Sequence, residues 1–106
     1  GEPFAQAADC AALAKAAHGL GLTVWTYTGY LFEHLRDAGR ADWTALLQET
    51  DVLVDGPFLQ DQKSYELHFR GSRNQRLIDV AASLVRGKAV LWQEEDPLAK
   101  FTVPES

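Results

Sequence analysis

Three stretches of this chain carry side chains whose types and spacing could do chemistry. One is Asp51-Val-Leu-Val-Asp-Gly-Pro-Phe58, an apolar run that finishes on an acid, a glycine and a proline. A carboxylate at the carboxyl end of a parallel strand lies where ligands of α/β sheets collect. Asp55-Gly56 is equally ordinary turn chemistry, so position alone leaves both readings open. Another is Thr26-Tyr-Thr-Gly29, which ends a second apolar run and offers Thr28 at the same rim. The last is Arg70-Gly-Ser-Arg-Asn-Gln-Arg76. Ser72 with Gln75 three residues on matches a capping box, and Asn74 could cap instead. Arg70, Arg73 and Arg76 would then bring guanidinium groups to a helix start, a setting suited to a carboxylate or phosphate. Surface solvation of each arginine is the plainer alternative.

Other chemistries find no support. Gly19-Leu-Gly21 is not a dinucleotide fingerprint, because Val24 stands at the third glycine position. His18, His34 and His68 show no metal-ligand spacing among themselves or with Cys10. His18 is explained by a helix C-terminus, where positive charge is favoured. No nucleophile, base and orienting acid assemble from neighbouring positions.

The elements that must position these groups follow from periodicity and breakers. Phe4 to His18 is rich in Ala and Leu and reads as a helix stopped by Gly19 and Gly21. Leu22 to Tyr27 is β-branched and aromatic, a strand. Tyr30–Ala38 and Ala41–Glu49 carry apolar residues at helical spacing. Asp51 to Asp55 is a second strand. Gly56 to Arg73 is a polar segment, in which Tyr65, Leu67 and Phe69 alternate as in a hairpin or edge strand. Asn74 to Arg86 fits a helix closed by Gly87, and Lys88 to Trp92 a third strand. Residues 93–106 are charged and proline-bearing, a loose tail. Such alternation predicts an α/β fold with a parallel sheet, in one domain spanning residues 1–106.

The totals bound the function. The 106 residues are 46% apolar with net charge −5, enough for one compact core. There is no basic stripe for nucleic acid and no apolar run of about 20 residues for a membrane span. The single cysteine, Cys10, excludes an internal disulfide and fits a reducing, cytoplasmic compartment. A first residue other than methionine, and no methionine elsewhere, lead us to expect a fragment or processed segment.

Taken together, Gly1-Glu-Pro3, Val24-Trp-Thr-Tyr-Thr-Gly-Tyr30, Asp51 to Phe58 and Phe69-Arg-Gly-Ser-Arg-Asn-Gln-Arg-Leu-Ile-Asp79 resemble the activating enzymes of glycyl-radical enzymes. These belong to the radical S-adenosylmethionine superfamily. The likeness runs to about Val80 and is strongest to the branch serving anaerobic ribonucleotide reductase. The resemblance implies a 4Fe–4S cluster held by a C-x-x-x-C-x-x-C loop, S-adenosylmethionine as cosubstrate, and an electron donor such as a flavodoxin. It also implies a glycyl-radical enzyme as partner. It places Gly1 and Glu2 beside the cosubstrate's amino group and Thr28 and Asp55 at its methionine or ribose, with Ser72 and Asn74 on the far side. The implied fold is the second half of a partial, TIM-like barrel of six βα units. The cysteine loop is absent, so no metal ligand or catalytic residue is expected here. The chain should be catalytically inert, with no cofactor bound. An Asp55→Ala change should weaken cosubstrate binding and spare the fold.

Two alternatives of other classes remain: a small anion- or nucleotide-binding module built on the Ser72–Arg76 helix start, and a protein-interaction domain using Tyr65, Phe69 and the acidic tail. A half-barrel should also expose strand Leu22–Tyr27 as an edge open to self-association.

Overall fold

The structure is a computed structural model that describes residues 1–63, 70, 72–93 and 100–104. A 3-10 turn, Pro3–Gln6, leads into α1 (Ala7–Gly19), followed by β1 (Thr23–Tyr27), α2 (Phe32–Asp37) and α3 (Ala41–Gln48). Then come β2 (Val52–Asp55), a 3-10 turn at Gln60–Gln62, β3 (Arg76–Asp79), α4 (Val80–Arg86) and β4 (Lys100–Thr102).

The four strands form one sheet in the order β3-β2-β1-β4. β1 runs parallel to β2 (Trp25 opposite Val52, Tyr27 opposite Val54) and to β4 (Val24 opposite Phe101). β3 runs antiparallel to β2, with Asp55 opposite Arg76. The α/β class stands, but the sheet is mixed rather than wholly parallel.

Strand alternation sorts the core into two faces. Val24, Leu53 and Ile78 point to the helices, where they meet Phe32, Leu35, Trp43, Leu46 and Leu47. On α1, Ala7, Cys10, Ala11, Ala14 and Ala17 form a small-residue stripe that lets this helix lie close to its neighbours. Trp25, Val52 and Val54 turn to the opposite face, packed with Tyr27, Leu77 and Trp92.

Four expectations need correction. Asn74 to Arg86 is not one helix: Arg76–Asp79 is strand β3, and Asp79 caps the shorter α4 by accepting from the Ala82 N–H at 3.0 Å. The pairing edge of β2 outweighs a helical spacing that Leu77, Ile78, Ala81 and Ala82 also satisfy. Lys88 to Trp92 is no full strand. Its Leu91 bridges Ile78, with Asp79 N–H to Val90 O at 2.8 Å and Trp92 N–H to Leu77 O at 2.9 Å. The tail is not wholly loose, because Lys100–Thr102 is β4 and Val103 is buried. Finally, β1 is interior to the sheet, so self-association through it as an open edge loses its premise. The alternation Tyr65, Leu67, Phe69 lies outside the described residues.

Candidate functional site

The carboxyl ends of β1 and β2 open on a cavity of about 420 Å³, within the range of small-molecule sites. Gly1, Glu2, Pro3, Tyr27, Thr28, Gly29, Gly56, Phe58 and Gln75 line it.

Glu2 reaches this rim because Pro3 starts a 3-10 turn, and Glu2 caps that turn by accepting from the Phe4 N–H at 3.0 Å. The same oxygen, Oε2, accepts from the Thr28 hydroxyl at 2.8 Å, while Oε1 accepts from the Gly29 N–H at 2.8 Å. Thr28 is itself fixed, its N–H donating to Val54 O at 3.0 Å and its Oγ1 accepting from the Tyr30 N–H at 3.1 Å. A carboxylate has about four acceptor positions. Three donors therefore lock its orientation and leave capacity for a further donor.

The far wall is the turn after β2. Gly56 has φ +97°, a conformation costly for a residue with a Cβ, and a Cβ there would meet Asn74 Nδ2 at 3.5 Å. Residues 72–75 clamp this turn. Gln75 Nε2 donates to Gly56 O at 3.0 Å and Asn74 Nδ2 to Pro57 O at 2.7 Å. Ser72 Oγ donates to Asn74 Oδ1 and accepts from the Leu59 N–H at 3.2 Å. The Ser72 N–H donates to Gln75 Oε1 at 3.2 Å, half of the predicted capping box, but it closes a turn ahead of β3 and not a helix. The anion site imagined at that helix start has no helix to rest on. Arg70 Nη1 is occupied by Gln75 O at 2.8 Å.

Asp55 is placed differently. Its side chain is fully buried and turned away from the cavity. It accepts from the Phe32 N–H at 2.7 Å, capping α2, whose own N-cap residue Leu31 offers no side-chain bond. It also accepts from Arg76 through Nε at 2.9 Å and through Nη2. Arg76 Nη2 extends to Glu33 Oε1 at 2.7 Å. That guanidinium holds the Glu33 carboxyl below the usual range, and the two carboxylates push Arg76 above its own.

Of the residues singled out in the sequence, Gly1, Glu2 and Thr28 converge on the cavity. Ser72 and Asn74 stand behind it and shape its wall. Asp55 belongs to an ion-paired knot beneath it. Gln75 and Phe58 were missed as lining residues. The capping-box match already held the signal for Gln75, whose side chain reaches back in either setting.

The opposite end of the sheet holds a second polar cluster. His18, in the last turn of α1, lies between Glu49 Oε2 (Nδ1, 3.0 Å) and Asp51 Oδ2 (Nε2, 2.8 Å). Asp51 Oδ2 also accepts from the Val24 N–H at 2.7 Å. A neutral ring has one N–H and so can donate to only one of the two carboxylates. Accordingly the His18 pKa is raised, chiefly by Asp51.

Among the described residues no group of three His, Cys, Asp or Glu side chains is arranged for a metal ion. The lone Cys10 is buried in α1, and burial pushes its thiol pKa up, away from the thiolate a metal requires. No described helix is long and apolar enough to cross a membrane.

Comparison with known proteins gives a consistent result. The family described as "4Fe-4S single cluster domain" matches residues 1–78. A Vibrio cholerae anaerobic ribonucleoside-triphosphate reductase-activating protein is 46% identical over 52 residues, covering 49% of this chain and 31% of the relative. The protein of the same name from Haemophilus influenzae is 42% identical over 52 residues, with the same coverage. That from Salmonella typhi is 38% identical over 69 residues, covering 63% of this chain and 42% of the relative. The matched part thus spans under half the length of these relatives. No solved structure matches the chain.

Proposed function

The chain belongs to the 4Fe-4S single cluster domain family, and on that premise we propose that it forms the cosubstrate-facing part of a radical S-adenosylmethionine activase. The parent would install a glycyl radical on anaerobic ribonucleotide reductase, working in the cytoplasm with a donor such as a flavodoxin. Its fold would be a TIM-like half-barrel of βα units completed by residues outside this chain.

The cluster does not fit the residues present. One buried cysteine cannot supply the several thiolates a 4Fe–4S cubane needs. No step of radical chemistry is therefore assigned to these residues, and the chain by itself is read as catalytically inert. What they can do is bind and orient. Glu2 accepts a hydrogen bond from an ammonium group, as on the amino-acid end of S-adenosylmethionine. Thr28 and Gly29 keep the carboxylate from turning away, and Gly1 borders the same space. Ser72 and Asn74 act one layer back, through the Gly56–Pro57 turn. Asp55 acts through Arg76 and α2 and not by touching the ligand.

The observation that carries this reading is the Glu2 carboxylate, fixed by three neutral donors at the edge of the cavity with acceptor capacity left over. With only part of the site, affinity should be weak, on the order of millimolar, and no ligand should survive purification. Titration calorimetry of the chain with S-adenosylmethionine, and with methionine, tests it. The heat should disappear in Glu2→Gln and persist in Leu20→Ala, a change at an exposed residue far from the cavity. Equal heats in all three proteins would refute the assignment of Glu2.

A further inference from the structure

β4 covers the edge of β1 that faces away from β2, and we propose that it is a detachable strap, standing where a parallel strand running into Gly1 would lie. Handedness supplies the argument. Residues of α1, α2 and α3 share one core with Val24, Leu53 and Ile78, so these helices lie on the same face of the sheet. From β1 the chain crosses over that face through α2 and α3 to reach the parallel, adjacent β2. Crossovers between parallel strands of one sheet are right-handed in about 98% of cases. The step through α1 to β1 uses the same face, so it must move in the same direction across the sheet. A strand entering Gly1 therefore falls on the side of β1 opposite β2.

The height agrees as well as the side. The Glu2 carboxylate bonds to Thr28 and Gly29, so Gly1 lies just beyond the carboxyl end of β1. A strand ending there would run upward, parallel to β1, as β4 does.

β4 is built to be given up. It is three residues long, with Thr23 opposite Lys100 and Trp25 opposite Thr102. The backbone bond from Val103 N–H to Trp25 O at 2.9 Å extends the pairing. Its apolar hold is Val103, buried in the helix-side core, with Phe101 packed partly against it. Short edge elements of this kind open locally without unfolding the whole domain. The strap thus closes the β1 edge against chance pairing and yields it to a strand in the right register. This holds whatever the cavity binds.

Native-state hydrogen exchange on the complete chain tests it. The Val103 amide should exchange at least about tenfold faster than the amides of β2. Equal rates would mean that β4 leaves only on global unfolding, and would overturn the proposal. A second protein carries a short Val- and Thr-rich segment directly ahead of Gly1. There Val103 should lose about a further tenfold of protection while the β2 amides keep theirs. An unchanged Val103 would overturn the proposal. So would a release that depends on protein concentration, since that assigns the edge to a second copy of the chain.

Discussion

Glu2 and Asp55 sit at the tops of neighbouring strands, and their surroundings differ in kind. The donors holding Glu2 are neutral: two backbone N–H groups and a hydroxyl. Asp55, fully buried, meets the partly exposed Arg76 guanidinium along with the first N–H of α2. A buried carboxylate committed to a cation and to a helix N–H is part of the fold, since removing it leaves both donors without that partner. One steadied by dipoles at a cavity edge still offers an acceptor to a cationic ligand. The top of β2 is thus a foundation, and the top of β1 a carboxylate with acceptor capacity left over at a cavity edge. A carboxylate at a strand's end does not by itself say which of the two it is.

Asp55→Ala should produce the largest effect, a loss of about 3 kcal/mol in stability by urea unfolding, because the Phe32 N–H loses its cap and Arg76 its buried partner. This reverses the expectation that the change would spare the fold. Glu2→Ala removes a cap and should cost only about 1 kcal/mol by the same measurement. Equal losses would erase the contrast. Gly56→Ala should cost about 1 kcal/mol or slightly more through its positive φ, and should loosen the Asn74 and Gln75 contacts that shape the cavity wall.

The smallest effect should come from the base of the sheet. The His18 pKa is raised in the folded protein by Asp51 and Glu49. The stabilisation is then complete below the unfolded value of about 6.5 and is lost as pH rises through the higher folded value. Urea midpoints measured across that window should show the loss in this chain and not in His18→Gln. The imidazole is partly exposed, so solvent screening keeps the change modest. Glu33, whose pKa is lowered by Arg76, works in the opposite sense: its contribution fades only at acidic pH, as its carboxyl protonates.

Much of the frame was legible because it depends on local signals. β1 and β2 are apolar runs closed by Gly29 and Gly56, and α1 is an alanine-rich helix stopped near Gly21. The failures involve partners far away in sequence. Arg76–Asp79 is a strand because β2 lies beside it, and no helical count over Leu77, Ile78, Ala81 and Ala82 reveals that. Asp55 and Arg76 are 21 residues apart, and Glu2 and Thr28 are 26 apart. Only the fold decides which carboxylate finds a guanidinium. His18 was read from the dipole of its own helix, while its real partners come from α3 and the start of β2. β4 was hidden in a charged tail, three residues being too few for any period to show.

Two backbone amides report separately on the two carboxylates: Gly29 N–H on Glu2, and Phe32 N–H on Asp55. Following both by NMR while S-adenosylmethionine is added to the chain is the most direct trial of the account. The Gly29 resonance should move progressively, together with Phe4, while Phe32 stays in place. Movement of Phe32 with Gly29 and Phe4 unchanged would contradict it and return Asp55 to the ligand.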